Sequence, residues 1–177
     1  MIFSNSLLAQ KAKIEFLPDL PYDKYELKTD LDTVRFYLSV TSSKANIPLI
    51  VFVQGSGMNS LFTKSQNGKI QPQYGHMTWY TAGNEKYRIL IVEKPGVTYL
   101  QSGASKNLYN RFSLEGFSNS IMEAIEYTCQ NEKIDTTKII IVGHSEGGIV
   151  ASRVANLMKD KISNVAIMAG EGISQLY

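Results

Sequence analysis

The sequence predicts an α/β domain of three layers built on a doubly wound, mostly parallel sheet, and three observations carry that prediction. Four apolar runs, at residues 49–53, 89–92, 139–142 and 165–168, lack the alternation of a half-exposed strand. Strands covered on both faces read this way, and such strands are typical of parallel sheets. Two stretches with apolar residues at helical spacing separate the later runs, giving the order strand, helix, strand, helix, strand.

Taken in order, residues 1–31 are expected to form an N-terminal extension and edge-strand region of a single domain covering 1–177. In DTVRFYLSV, Val34, Phe36, Leu38 and Val40 fall on one face and Arg35, Tyr37 and Ser39 on the other. That period of two predicts a half-exposed, edge-like strand. The first buried strand follows in IPLIVFV. Residues 55–88 are rich in Gly, Asn, Gln, Ser and Tyr and carry His76 and Trp79. This polar connection must hold at least one short helix or set of turns, because structureless loops of that length are uncommon in compact domains.

After the second buried strand, SLEGFSNSIMEAIEYTCQNEK places Phe117, Ile121, Ala124, Ile125 and Thr128 on one helical stripe. Ser113 is its expected cap and Glu115 a first-turn acid. A third buried strand leads into EGGIVASRVANLMKDK, whose stripe is Val150, Ala151, Val154, Leu157 and Met158. Lys159 and Lys161 suit the C-terminal end of that helix. NVAIMAG reads as a fourth buried strand.

Composition narrows the function classes. Net charge is +2, from 18 basic and 16 acidic residues, and the lysines are scattered, so neither nucleic acid nor an anionic membrane is an expected partner. The single cysteine, Cys129, permits no intrachain disulfide and no metal-ligand spacing, and it reads as a small buried apolar residue. No cofactor or metal is expected. The apolar runs fall far short of the ~20 residues a membrane span requires. The opening MIFSNSLLAQ resembles the tail of a signal peptide but lacks a basic n-region. As written the chain reads as cytoplasmic, and residues preceding it would open the alternative of export.

The chemistry lies in KIIIVGHSEGGIVASRV. Gly143-His144-Ser145-Glu146-Gly147 fits G-x-S-x-G, and the motif stands between a strand and a helix. That context would set Ser145 on a tight turn at the strand's C-terminal edge with its hydroxyl exposed. Gly143, Gly147 and Gly148 would let strand and helix backbones approach closely. The helix N-terminus would then direct N–H groups toward an anion forming beside the serine. A second glycine-rich turn, Gln54-Gly55-Ser56-Gly57, ends the first buried strand and would bring the Ser56 N–H to the same point as that of Glu146.

The pairing of QGSG with GHSEGG resembles the α/β-hydrolase family, and within it bacterial esterases and serine aminopeptidase-like enzymes, over roughly residues 32–170. The resemblance implies acyl transfer to water from an ester, thioester, amide or peptide. Ser145 would be the nucleophile and the Ser56 and Glu146 N–H groups the oxyanion hole, with a histidine–acid pair activating the serine. Gln54 stands where many members carry a histidine, a change of small consequence because the backbone donates. The family order is Ser, then acid, then His. Here Glu171 follows the fourth strand where some members place their acid, but no histidine follows Ser145. His144, next to the serine at a strand end, is expected to point away, and His76 lies in the polar connection.

The expectation is therefore a hydrolase scaffold shortened before its triad is complete, with the catalytic base missing from this chain. Its uncovered sheet edge would be open to self-association. Two other classes remain open. One is a non-catalytic α/β-hydrolase-like module that binds a small molecule or partner. The other is a dinucleotide-binding domain, for which Gly55-Ser56-Gly57 begins a G-x-G but Ser60 stands where a further Gly or Ala belongs and only Glu93 ends the next strand as an acid. Tyr99, Tyr109 and Phe112 are either acyl-pocket residues or local packing.

Overall fold

A computed structural model describes residues 11–29, 32–83, 85–103 and 112–170. Its centre is a seven-stranded sheet with the order β1-β2-β3-β7-β4-β8-β9, formed by β1 (Lys13–Phe16), β2 (Tyr22–Lys28), β3 (Thr33–Ser39), β4 (Ile47–Val53), β7 (Arg88–Val92), β8 (Ile134–His144) and β9 (Ile162–Met168). Among the described residues a small hairpin, β5 (Phe62–Lys64) and β6 (Ile70–Pro72), and three helices accompany it: α1 (His76–Gly83), α2 (Leu114–Asn131) and α3 (Gly147–Leu157). The predicted α/β class holds. The four strands read as buried and parallel are β7, β4, β8 and β9, all running the same way. The N-terminal strands β1, β2 and β3 are antiparallel, so the sheet is mixed.

Alternation along the strands sends side chains into two cores. Leu49, Val51 and Val53 of β4 join Phe117, Ile121, Ala124 and Ile125 of α2 and Val150, Ala151 and Val154 of α3 on one face. Ile50 and Phe52 face the other way, with Tyr22, Tyr37, Leu61, Phe62, Ile89 and Ile91, where Met77, Trp79 and Tyr80 of α1 pack. Helices therefore cover both faces, as a doubly wound sheet requires. Ser113 caps α2 by accepting the Gly116 N–H at 2.9 Å, and the predicted α2 stripe is the buried one.

Three expectations need correction. Strand β3 is not at an edge: residues 13–28 form β1 and β2, and β2 pairs along its length, so Tyr37 and Ser39 are buried on the face read as exposed. Strand β9 is not covered on both faces. It is the outermost strand among the described residues, with Val165 47% and Ile167 51% exposed. Helix α3 ends at Leu157, which is itself exposed, so Lys159 and Lys161 lie past the helix; Lys161 pairs with Glu126 of α2 instead. The polar connection holds the β5–β6 hairpin and α1. No helix among the described residues is long and apolar enough to cross a membrane.

Candidate active site

Parallel strands place their following loops at one edge of the sheet, and β4, β7 and β8 are parallel neighbours. Residues 54–61, 93–103 and 145–146 therefore meet there. Between β8 and α3, Ser145 is held at φ 54°, a left-handed conformation that costs a non-glycine residue on the order of 1–2 kcal/mol. Its N–H donates to the Met168 carbonyl at 2.9 Å and its carbonyl accepts the Gly148 N–H at 2.8 Å, so both sides of the turn are pinned.

The surrounding glycines show how tight this turn is. A methyl group on Gly143 would stand 2.4 Å from the Gly147 carbonyl oxygen, and one on Gly147 would stand 2.3 Å from that of Val53. One on Gly148 would meet the Ile167 side chain at 2.8 Å, so the helix start does lie against the sheet. The β4 loop abuts the serine directly: the Cβ position of Gly55 lies 3.1 Å from Cβ of Ser145 and 3.0 Å from the His144 carbonyl oxygen. Among the described residues, neither the Ser56 nor the Glu146 N–H has a backbone acceptor.

No family model and no curated protein matches the sequence. Solved structures do match the fold. Est1E from Butyrivibrio proteoclasticus superposes with a TM-score of 0.56 at 16% identity, covering 80% of this chain and 49% of that one. The acylaminoacyl peptidase of Pyrococcus horikoshii gives 0.62 at 18%, covering 87% and 24%. The α/β hydrolase GrgF from Penicillium sp. sh18 gives 0.61 at 17%, covering 85% and 46%.

The chain has the α/β-hydrolase fold.

It spans between 24% and 49% of the length of those three structures. Within this hydrolase fold the other site residues can be placed. His76, in the polar connection, opens α1, is fully buried, and uses both ring nitrogens, with Nδ1 3.2 Å from the Tyr22 hydroxyl and Nε2 3.2 Å from the Leu61 carbonyl. Burial lowers its pKa to about 4 against the help of the Leu61 carbonyl, so it is neutral at pH 7. His144 is exposed at the end of β8. No imidazole hydrogen-bonds the Ser145 hydroxyl among the described residues. Glu171 and Tyr109 lie outside the described residues. Tyr99 packs against Tyr37 and Phe62, and Phe112 against Phe117.

Two charged residues at the end of β7 escaped the sequence reading as parts of this edge. Lys94, with its side chain 3% exposed, donates to Oε2 of Glu146 at 2.8 Å and lies 4.7 Å from the centroid of the Phe112 ring. Glu146 therefore acts through an ion pair with Lys94, and its carboxylate makes no capping hydrogen bond to α3. Glu93 beside it is 2% exposed. The available signal was VEKPG itself: acid and base directly after a buried parallel strand stand at the loop edge, where a charge must be paired to be buried.

Proposed function

We propose that this chain belongs to a serine hydrolase that cleaves an ester or amide acyl bond of a small-molecule or peptide substrate, with Ser145 as nucleophile. The observation carrying this reading is the strained Ser145 turn, seated between β8 and the N-terminus of α3 and touched by the Gly55 loop. A serine held in the left-handed region presents its hydroxyl outward, and strain at such a position marks a functional turn.

In this reading the Ser145 hydroxyl oxygen attacks the substrate carbonyl carbon while a general base takes its proton. Negative charge moves to the carbonyl oxygen, where the Ser56 and Glu146 N–H groups receive it. Collapse breaks the bond to the leaving alcohol or amine, which takes the proton from the base, and water then releases the acyl group from Ser145 by the same route. His76 is not placed to be that base. It is locked in a core and has no proton affinity to spare near neutrality.

The test is fluorophosphonate labelling of the full-length gene product, mapped by peptide mass spectrometry. Label is expected on Ser145 and absent in Ser145→Ala; an unlabelled, folded protein overturns the reading. A second reading, a non-catalytic module of the same fold, draws support from the lack of an imidazole beside Ser145. Ester hydrolysis abolished by Ser145→Ala would exclude it.

A further inference from the structure

We propose that Glu93 is a positioning residue for this site: its buried carboxylate fixes the loop bearing the Ser56 N–H against the Ser145 turn. The proposal rests on the reading of Ser145 as nucleophile and Ser56 as oxyanion donor, and it adds a residue outside that machinery which sets its geometry.

Glu93 ends β7, the strand beside β4, and reaches across to the β4 loop. Its Oε1 accepts the Tyr37 hydroxyl at 2.9 Å and the Ser60 hydroxyl at 2.5 Å, and both carboxylate oxygens lie 3.1 Å from the Leu61 N. Ser60 extends the network. Its Oγ accepts the Phe62 N–H at 3.2 Å and the Leu100 N–H at 3.3 Å, while its own N–H donates to the Gln101 carbonyl at 2.9 Å. One carboxylate thus joins β3, the loop after β4 and the loop after β7. Ser56 lies only a few residues from Ser60 on the same short loop, so a shift at Ser60 is transmitted to it.

Counting donors shows which state of Glu93 the network fits. The Leu61 N–H can only donate. Two N–H groups occupy the lone pairs of the Ser60 hydroxyl, leaving its proton to be donated. Only the Tyr37 hydroxyl can reverse its role. These three donors favour the ionised carboxylate; protonation on Oε2 leaves the Tyr37 and Ser60 bonds to Oε1 in place but sets an O–H against the Leu61 N–H, which cannot accept. Burial raises the Glu93 pKa to about 7, with the bonds from Ser60, Tyr37 and Leu61 and the charge of Arg35 holding it down. The charged and titratable groups facing it are Tyr37 and Arg35 from β3 and Tyr74 from the segment before α1. Lys94 is engaged with Glu146.

Amide NMR of the protein between about pH 5 and 9 tests this through the group's linkage to its donors. The Leu61 and Ser56 amide signals are expected to titrate together, near neutrality. In Glu93→Gln, a neutral isostere, both should be flat and resemble the acid form. The rate of fluorophosphonate labelling at Ser145 should fall about tenfold, as for a misplaced catalytic group. Glu93→Asp should restore part of the rate, and Ser60→Ala should reproduce the loss. A Leu61 amide that does not titrate, or a Ser56 amide unmoved while Leu61 titrates, overturns the proposal. So does unchanged labelling in folded Glu93→Gln. Should Glu93→Gln fail to fold, the wild-type titration decides. Wild-type protein unlabelled at every pH would sink the nucleophile reading alone, because the paired amide titration would still report whether Glu93 moves the loop.

Discussion

The Lys94 ammonium lies 2.8 Å from Oε2 of Glu146, and the two partners differ in access to water: the lysine side chain is 3% exposed and the glutamate side chain 37%. Breaking the pair from either side should therefore have unequal effects. Glu146→Gln leaves a buried ammonium with a weakened partner and is expected to cost about 3 kcal/mol, toward the range for an uncompensated buried charge. Lys94→Met keeps an apolar stem against Phe112 and releases Glu146 to solvent, so about 1 kcal/mol is expected. Urea unfolding of both variants checks the order; equal losses would contradict it.

Ser145 stores backbone strain, and the strain can be separated from the hydroxyl. Both Ser145→Ala and Ser145→Gly remove the nucleophile, but only glycine relieves the φ of 54°. Ser145→Gly should be more stable than Ser145→Ala by about 1 kcal/mol, the left-handed penalty less the entropy a glycine adds to the unfolded chain. Thermal unfolding of the two proteins measures the difference directly.

Glycine contacts divide the site into parts that tolerate a methyl group and parts that do not. At Gly147 the obstruction is backbone, the Val53 carbonyl oxygen at 2.3 Å, so Gly147→Ala should cost about 3 kcal/mol or more. At Gly55 the nearest atoms stand at 3.0 and 3.1 Å, so Gly55→Ala should fold with a smaller loss. Its methyl would nevertheless lie against Ser145, and labelling of the serine should slow. Circular dichroism and probe kinetics on the same samples separate the two effects.

Two buried groups give the stability opposite pH slopes. His76 is held at a pKa of about 4 in the fold against about 6.5 unfolded, so the unfolded chain binds the extra proton and stability falls as pH drops through that window. Glu93, at about 7 in the fold against about 4.5 unfolded, binds its proton more tightly when folded and gains stability over an overlapping window as pH drops. Each slope approaches about 1.4 kcal/mol per pH unit at most. Glu93→Gln removes only the second, so acidification from pH 6.5 to 4.5 should destabilise it more than the wild type. Denaturant midpoints at several pH values provide the check, and parallel curves for the two proteins would refute the pairing.

Strand β9 is outermost among the described residues and leaves Val165 and Ile167 exposed there. Unpaired edge groups beside apolar side chains favour strand pairing between molecules. The chain is expected to self-associate with concentration, and Val165→Lys to reduce that association. Sedimentation velocity over a concentration series would show both.

Much of this protein was legible from residue order alone. The non-alternating runs in β4, β7 and β8, the α2 stripe from Phe117 to Thr128 and the Ser113 cap are local patterns, set by which side chains must leave water and which backbone groups need partners. The strand–turn–helix around Ser145 was legible for the same reason, because glycines at positions 143, 147 and 148 have few other uses in that pattern. What only the tertiary structure decided depends on neighbours remote in sequence. Tyr37 looked solvent-facing until β2 and the Phe62 segment closed over it, and Val165 looked buried although no strand lies beyond β9 among the described residues. His76 was legible only as part of a polar connection, and the fold set it in a core with Tyr22 and Leu61 on its two nitrogens. Glu93 and Lys94 stood in the sequence as an ordinary charged pair after a strand. Parallel packing of β7 against β4, with β8 on the far side of β4, carried one to Ser60 and Leu61 and the other to Glu146, because burial of a charge is fixed by whatever partner the fold delivers to it.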